Sequence, residues 1–241
     1  MDFASRSINM ANSNATLQAS KNLRDDEFYT TYECIEKELK HYIDHFENKT
    51  VLCNCDDPFE SNFCAYFLNN FERFKLKRLI CTSYYSSKIS KQHKTLVRKK
   101  RGFVLDVKRE ALTEDELITS TINVERHTSV LSGNGDFRSD ECLEYLNVCD
   151  IVVTNPPFSL FREFFSELMK RNKLFLIIGN QNALTYKEIF PFIKEGGVSF
   201  GPAISLEKWS LWYQLTGNLE TSDIGLMITA KNGEVWETQC G

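Results

Sequence analysis

The tetrapeptide Asn155-Pro156-Pro157-Phe158 follows directly on the apolar run Asp150-Ile151-Val152-Val153-Thr154. A side-chain amide, two conformationally locked peptide units and an aromatic ring at the end of one strand suit a particular chemistry. An exocyclic amine on a nucleobase is a poor nucleophile, because its lone pair is delocalised into the ring. Two fixed acceptors, the Asn155 side-chain oxygen and the Pro156 backbone carbonyl, can hydrogen-bond both amine hydrogens and turn the lone pair toward an electrophile. Phe158 offers a face for the base, and base–aromatic stacking is worth roughly 1–3 kcal/mol. No general base of tuned pKa is required. Without that chemistry, the same four residues are a loop that ends a strand.

The elements that must hold these groups can be read around them. Residues 150–154 are short, β-branched and almost wholly apolar, as expected for a central strand of a parallel sheet covered on both faces. Each proline lacks an N–H and fixes φ, so the strand must end at Thr154 or Asn155. Ligands of open α/β sheets bind in the crevice outside the strand ends, and Asn155 and Phe158 are expected there. Residues 159–168 place Leu160, Phe161, Phe164, Phe165 and Leu168 at helical spacing, with Ser159 as the expected N-cap.

The same alternation runs through the chain. Residues 32–48 carry Ile35, Leu39, Tyr42, Ile43 and Phe46 on one helical face, while His41 and His45 share a polar one. Residues 50–53 read as a first strand ending in Asn54-Cys55-Asp56-Asp57-Pro58. Pro58 suits the first position of a helix, and Phe59, Phe63, Tyr66, Phe67 and Phe71 form its packing stripe. Further strands are expected at 77–82 and 173–178, a short hairpin element at 102–107, and helices at 114–121 and 140–147. The loop Gly133-Asn134-Gly135-Asp136-Phe137 precedes the last of these helices. Strands alternating with helices imply an α/β class with a mostly parallel sheet and helices on both faces.

A chain of 241 residues, 42% apolar, fits one domain with a sizeable core. Residues 1–20, rich in Ser, Asn and Ala without periodicity, are expected to be disordered, leaving 21–241 as the catalytic domain. No apolar run reaches the roughly 18 residues that a membrane span needs, and no secretory leader is evident, so a cytoplasmic protein is expected. Eight cysteines stand at 34, 53, 55, 64, 81, 142, 149 and 240. They form no C-x-x-C pairs, and no metal site is expected; Cys53 and Cys81 read as small apolar core groups.

The Asn-Pro-Pro-aromatic unit resembles the catalytic signature of amino-methyltransferases that use S-adenosylmethionine, which implies a Rossmann-like methyltransferase fold. On such a fold the first-strand exit, Asn54, Cys55, Asp56 and Asp57, offers polar groups to the amino acid or ribose part of the cofactor. The usual glycine-rich turn is absent there. Without a cofactor, the aspartates would simply cap the next helix. Asp136 can accept from the cofactor's adenine amine while Phe137 stacks on its ring, the flanking glycines allowing a tight approach. Residues 26–32, Asp-Glu-Phe-Tyr-Thr-Thr-Tyr, resemble the segment that folds over the methionine part of the cofactor, with Tyr29 and Thr30 as its contacts.

Together these pieces resemble the adenine-specific DNA methyltransferases of the EcoRI modification type. The resemblance rests on residues 26–33, on Val51 through Pro58 with Ser61-Asn62-Phe63, on Gly135-Asp136-Phe137-Arg138-Ser139, on residues 150–165 and on Ile178-Gly179-Asn180-Gln181-Asn182-Ala183. It covers about residues 20–195 and weakens after about 200, where a reduced target-recognition part is expected. It implies catalysis by Asn155, Pro156, Pro157 and Phe158, S-adenosylmethionine as cofactor, duplex DNA as substrate, N6-methyladenine as product and a cognate restriction endonuclease as partner. The target adenine would be flipped out of the duplex at a cost of a few kcal/mol. Methylation of guanine N2 in RNA, or an inactive nucleic-acid-binding descendant, are the alternatives.

The formal charge of −4 does not favour a polyanionic partner, but its distribution is uneven. Lys88, Lys91, Lys94, Arg98, Lys99, Lys100 and Arg101 form a block with no intervening acid, and Lys99, Lys100 and Arg101 are the expected phosphate contacts.

Overall fold

A computed structural model of the chain describes residues 30–85, 100–179, 183, 185–200 and 226–230. Thr31 opens helix α1 (Tyr32–Leu39) by accepting from the Cys34 N–H at 3.3 Å. The helix then tightens into a 3-10 segment, Lys40–Phe46. The helix read over 32–48 is therefore two segments, yet Ile35, Leu39, Tyr42 and Phe46 remain buried on one face. After β1 (Thr50–Asn54) comes α2 (Asn62–Asn69), which begins later than Pro58 suggested. The Asp57 carboxylate accepts from the Phe59 N–H at 2.9 Å and holds a tight turn. Ser61 is the cap, accepting from Phe63 and Cys64. Phe59 consequently falls outside the packing stripe and is exposed, whereas Phe63, Tyr66, Phe67 and Phe71 are buried.

The remaining elements are β2 (Arg78–Ser83), β3 (Phe103–Lys108), α3 (Glu114–Thr119), α4 (Val124–His127), β4 (Thr128–Val130), α5 (Asp140–Val148), β5 (Ile151–Thr154), α6 (Phe161–Lys170), β6 (Leu174–Gly179), α7 (Phe190–Lys194), β7 (Val198–Phe200) and β8 (Leu226–Ala230). The described strands form one sheet in the order β4-β3-β2-β1-β5-β6-β8-β7. β1 pairs in parallel with both β2 and β5, and β5 with β6. Only β3 and β8 oppose the common direction. β3 lies beside its predecessor β2, from Ser83↔Phe103 to Arg78↔Lys108, as the hairpin element read at 102–107 requires. The chain leaves β1 toward β2 on one side and returns to β5 on the other. A crevice is expected where the order reverses in this way, so the carboxyl ends of β1 and β5 flank the natural site.

Alternate strand residues feed two cores. Val51, Cys53, Leu79, Cys81, Ile151 and Val153 meet α1, the 3-10 segment and α2, where Phe46 packs edge-on against Phe67 at 5.2 Å between ring centroids. Leu52, Ile80, Val152, Phe175 and Ile177 face the opposite way, onto Leu146 of α5 and Phe161, Phe164, Phe165 and Leu168 of α6. This period of two, read against helical periods on either side, places helices on both faces. Each large apolar side chain so buried contributes roughly 1.5–3 kcal/mol. Burial also pushes the Cys53 thiol up to about 11, so it behaves as a core group.

Candidate active site

The β5 exit forms as the prolines dictate. Thr154 closes the strand, Pro157 keeps extended geometry (φ −55°, ψ 129°), and a 3-10 turn, Phe158–Leu160, leads into α6. Leu160 N–H donates to the Pro157 carbonyl at 3.0 Å. The helix therefore starts at Phe161, and Ser159 is an exposed residue of the turn, not its N-cap. Asn155 is half-buried with its side-chain oxygen shielded from solvent; Pro156 is buried, and Phe158 half-buried. Gly179 at the end of β6 makes room for this arrangement, since a Cβ there would lie 2.6 Å from the Phe161 ring.

The β1 exit is denser in polar groups. The fully buried Asn54 accepts the Thr82 hydroxyl at 2.7 Å, while its Nδ2 is buried with no partner among the described residues. Cys55 carries the turn with φ 82°, so a side-chain-bearing residue takes the conformation that glycine usually supplies. Asp56 is buried, accepting from the Ser61 hydroxyl at 2.6 Å and from the Thr154 hydroxyl at 2.5 Å. The Thr154 hydroxyl also touches the Asn54 carbonyl. Asp57 uses one oxygen for its turn and buries the other, Oδ2, with no partner among the described residues. A buried donor and a buried acceptor left unmatched cost about 1–3 kcal/mol each. Asn54 and Asp57 therefore fit a ligand that bears both a carboxylate and ammonium or hydroxyl groups, as the polar parts of S-adenosylmethionine do. The Thr30 carbonyl accepts from Asn62 Nδ2 at 2.7 Å, which ties the segment before α1 to the start of α2. Tyr29 lies outside the described residues.

The glycine loop packs against the end of β2. Gly135 has φ 76°, and a Cβ there would stand 2.0 Å from the Ser83 carbonyl; at Gly102 it would stand 2.2 Å from the same oxygen. The close approach these glycines allow is to the end of β2. Tyr85 N–H to Asn134 O (2.9 Å) and Gly102 N–H to Gly133 O (3.1 Å) complete the junction. Both Asp136 oxygens accept from Arg138, and this hydrogen bonding, above all else, holds the carboxyl below the usual carboxylate range. Arg138 also reaches Glu163 of α6 at 2.9 Å. Phe137 is only 3% exposed and packs edge-on against Phe164 at 5.0 Å, so its ring serves the core beneath α6.

Of the basic block, Lys99 lies outside the described residues with Lys88, Lys91, Lys94 and Arg98. Lys100 is exposed. Arg101 is half-buried and donates from Nε to the Leu131 carbonyl at 2.5 Å, so part of it holds the chain entering β3. A cavity of about 380 Å³ beside α2 is lined by Pro58, Phe59, Ser61, Asn62, Ser120 and Thr121 among others, but not by Asn155 or Phe158. The buried polar groups gather at the strand ends instead. Sequence reasoning gave no role to Thr82 and Thr154; the one available signal was a hydroxyl near the end of an otherwise apolar strand.

Comparison with known proteins bears on this geometry. The family described as adenine-specific methyltransferase EcoRI matches residues 16–240, past the point near residue 200 where the motifs fade. The Type II methyltransferase M.EcoRI of Escherichia coli is 42% identical over 230 residues, covering 93% of this chain and 68% of that protein. M.MgeORF184P of Mycoplasma genitalium is 37% identical over 186 residues, covering 77% and 50%. M.MpnI of Mycoplasma pneumoniae is 31% identical over 219 residues, covering 90% and 60%. The chain thus spans half to about two thirds of the length of these relatives. No solved structure matches it.

Proposed function

The chain belongs to the adenine-specific methyltransferase EcoRI family, and from that premise we propose that it transfers the methyl group of S-adenosylmethionine to the N6 amine of adenine in duplex DNA at a specific site. The observation that carries this reading is the pairing of β1 with β5. It brings the Asn155-Pro156-Pro157-Phe158 turn beside a first-strand exit whose Asn54 and Asp57 bury unmatched polar atoms.

When bound, the cofactor supplies an electrophilic methyl group. The Asn155 side-chain oxygen and the Pro156 carbonyl accept the two hydrogens of the target amine and hold its lone pair out of conjugation. Phe158 stacks on the adenine once it has left the duplex. Asn54 Nδ2 would donate to, and Asp57 Oδ2 would accept from, the polar end of the cofactor. An amine that gains a methyl group must give up one hydrogen as a proton, and it would go to water, since neither the Asn155 amide nor the Pro156 carbonyl is a base. Asp136 would offer an acceptor to the cofactor's adenine amine while still held by Arg138.

The names of the relatives as Type II methyltransferases support a cognate restriction endonuclease acting on the same site, in the cytoplasmic compartment that holds the DNA. No described helix is long and apolar enough to cross a membrane. Incubation with methyl-labelled S-adenosylmethionine and either duplex DNA or structured RNA tests the proposal. Label is expected in N6-methyladenine of the duplex; label in RNA guanine, or in neither nucleic acid despite cofactor binding, overturns it.

A further inference from the structure

The β1–β5 pairing stops short of the site. Its register runs Val51↔Ile151 and Leu52↔Val152, whereas β1 stays paired with β2 to Asn54↔Thr82 and β5 with β6 to Thr154↔Ile177. The two strands whose exits must cooperate are thus the pair whose ladder ends earliest. Beyond Leu52 and Val152 the Thr154 hydroxyl joins them, reaching the Asn54 carbonyl and the Asp56 carboxylate.

Thr154 is fully buried, and its hydroxyl faces the Asn54 carbonyl and Asp56 Oδ2. A hydroxyl has one proton to give, and the carboxylate is the stronger acceptor. The second Asp56 oxygen takes the hydroxyl of Ser61, the residue that caps α2. Thr82 extends the row, donating to Asn54 from the end of β2. The buried hydrogen bonds therefore run across the carboxyl ends of β2, β1 and β5 and end one residue before Asn155. A β-branched side chain suits this task, because its χ1 has few alternatives.

We propose that Asp56 and Thr154 are positioning residues of the methyl transfer: their hydrogen bond replaces the missing ladder between β1 and β5 and fixes the Asn155 amide relative to the first-strand turn. Asp56 then acts through Thr154 and not as a ligand of the cofactor. The inference rests on Asn155 being the amide that holds the target amine. A displacement of about 1 Å in such a group lowers turnover on the order of 10²-fold.

Two readouts test the clamp, one of them independent of activity. Thr154→Val keeps the shape and removes the hydroxyl; Thr154→Ser keeps the hydroxyl. Thr154→Val is expected to lower kcat about 10- to 100-fold, with cofactor Kd held within about two-fold and Thr154→Ser recovering most of the loss. Asp56→Asn should behave like Thr154→Val, and the double variant should be little worse than either single one. Hydrogen exchange, followed by mass spectrometry without cofactor or DNA, should show faster exchange across residues 155–161 in Thr154→Val, slowed again in Thr154→Ser, with residues 151–153 unchanged. Parental kcat and parental exchange in Thr154→Val overturn the proposal. So does an Asp56→Asn protein whose loss is confined to cofactor affinity. Should the parent protein transfer no methyl group to DNA, the proposed function fails, while the exchange comparison still decides the clamp.

Discussion

Arg138 grips Asp136 through both carboxylate oxygens, Nε to Oδ1 at 2.9 Å and Nη2 to Oδ2 at 2.7 Å, and spends its remaining nitrogen on Glu163 of α6. The glycine loop is thereby tied to the helix that follows the Asn155-Pro156-Pro157-Phe158 turn. Each carboxylate oxygen retains acceptor capacity while engaged by arginine, so Asp136 can still take a cofactor amine. S-adenosylmethionine should raise the melting temperature of the intact protein by mass action, and Asp136→Ala should lose most of that rise. A thermal shift assay at millimolar cofactor decides it; an unchanged rise removes Asp136 from the site.

Asn155→Ala deletes a preorganised acceptor and should lower methyl transfer on the order of 10²–10³-fold with cofactor binding retained. Asn155→Asp keeps an acceptor of similar shape and should retain partial activity. Phe158→Ala should weaken the hold on the flipped base, whereas Phe158→Tyr or Trp preserves a stacking face. Methyl transfer to duplex DNA, measured beside cofactor binding for each variant, separates these effects. Parental turnover by Asn155→Ala would refute the mechanism.

Glu116 governs acid stability in a region away from the chemistry. Burial alone would raise its carboxyl, but the Thr113 and Asn123 backbone N–H groups, the Thr113 hydroxyl and His127 outweigh it and pull the group down to about 2. A carboxyl held below its unfolded value adds stability above about pH 4.3, lost as pH falls toward the folded value. Glu116→Gln should therefore be less stable at pH 7 by on the order of 1.5–3 kcal/mol. The gap should narrow between about pH 4.5 and pH 2, as urea unfolding across that range will show.

Gly135→Ala should destabilise the protein by roughly 2–4 kcal/mol, since the new Cβ meets backbone and the residue has positive φ. Chemical denaturation measures this directly. A change of under about 0.5 kcal/mol would mean that the junction with Ser83 is looser than the geometry states.

The basic block should divide in two. Lys99→Ala with Lys100→Ala should weaken DNA binding across sequences and lower the slope of log K against log salt by about one per lysine. Arg101→Ala should chiefly reduce stability, because its guanidinium holds the Leu131 carbonyl. Binding isotherms at several salt concentrations, beside melting curves, will tell whether lysine and arginine part in this way.

The strands at 50–53, 150–154 and 173–178 were legible because buried parallel strands are continuous apolar runs, and the prolines after Thr154 left only one exit. The apolar stripes on α1 with its 3-10 extension and on α6 were legible from helical spacing. Local start signals misled where two candidates competed. Pro58 lost to Ser61 because the Asp57 turn intervenes, and Ser159 lost to a 3-10 turn imposed by the proline pair. Phe137 could be placed in a loop but not beneath α6, since its partner Phe164 lies far along the chain. The bond between Asp56 and Thr154 joins residues 98 apart, and no local pattern reports it.

Cys55 has a consequence for the unfolded chain. A side chain at φ 82° is unfavourable by about 1–2 kcal/mol relative to glycine in the folded turn. That same side chain narrows the backbone freedom available before folding, where glycine would widen it. Cys55→Gly would thus relax the native turn and enlarge the denatured ensemble together, two changes of opposite sign. The midpoint of unfolding should move little; in this turn, the absence of glycine exchanges conformational ease for order.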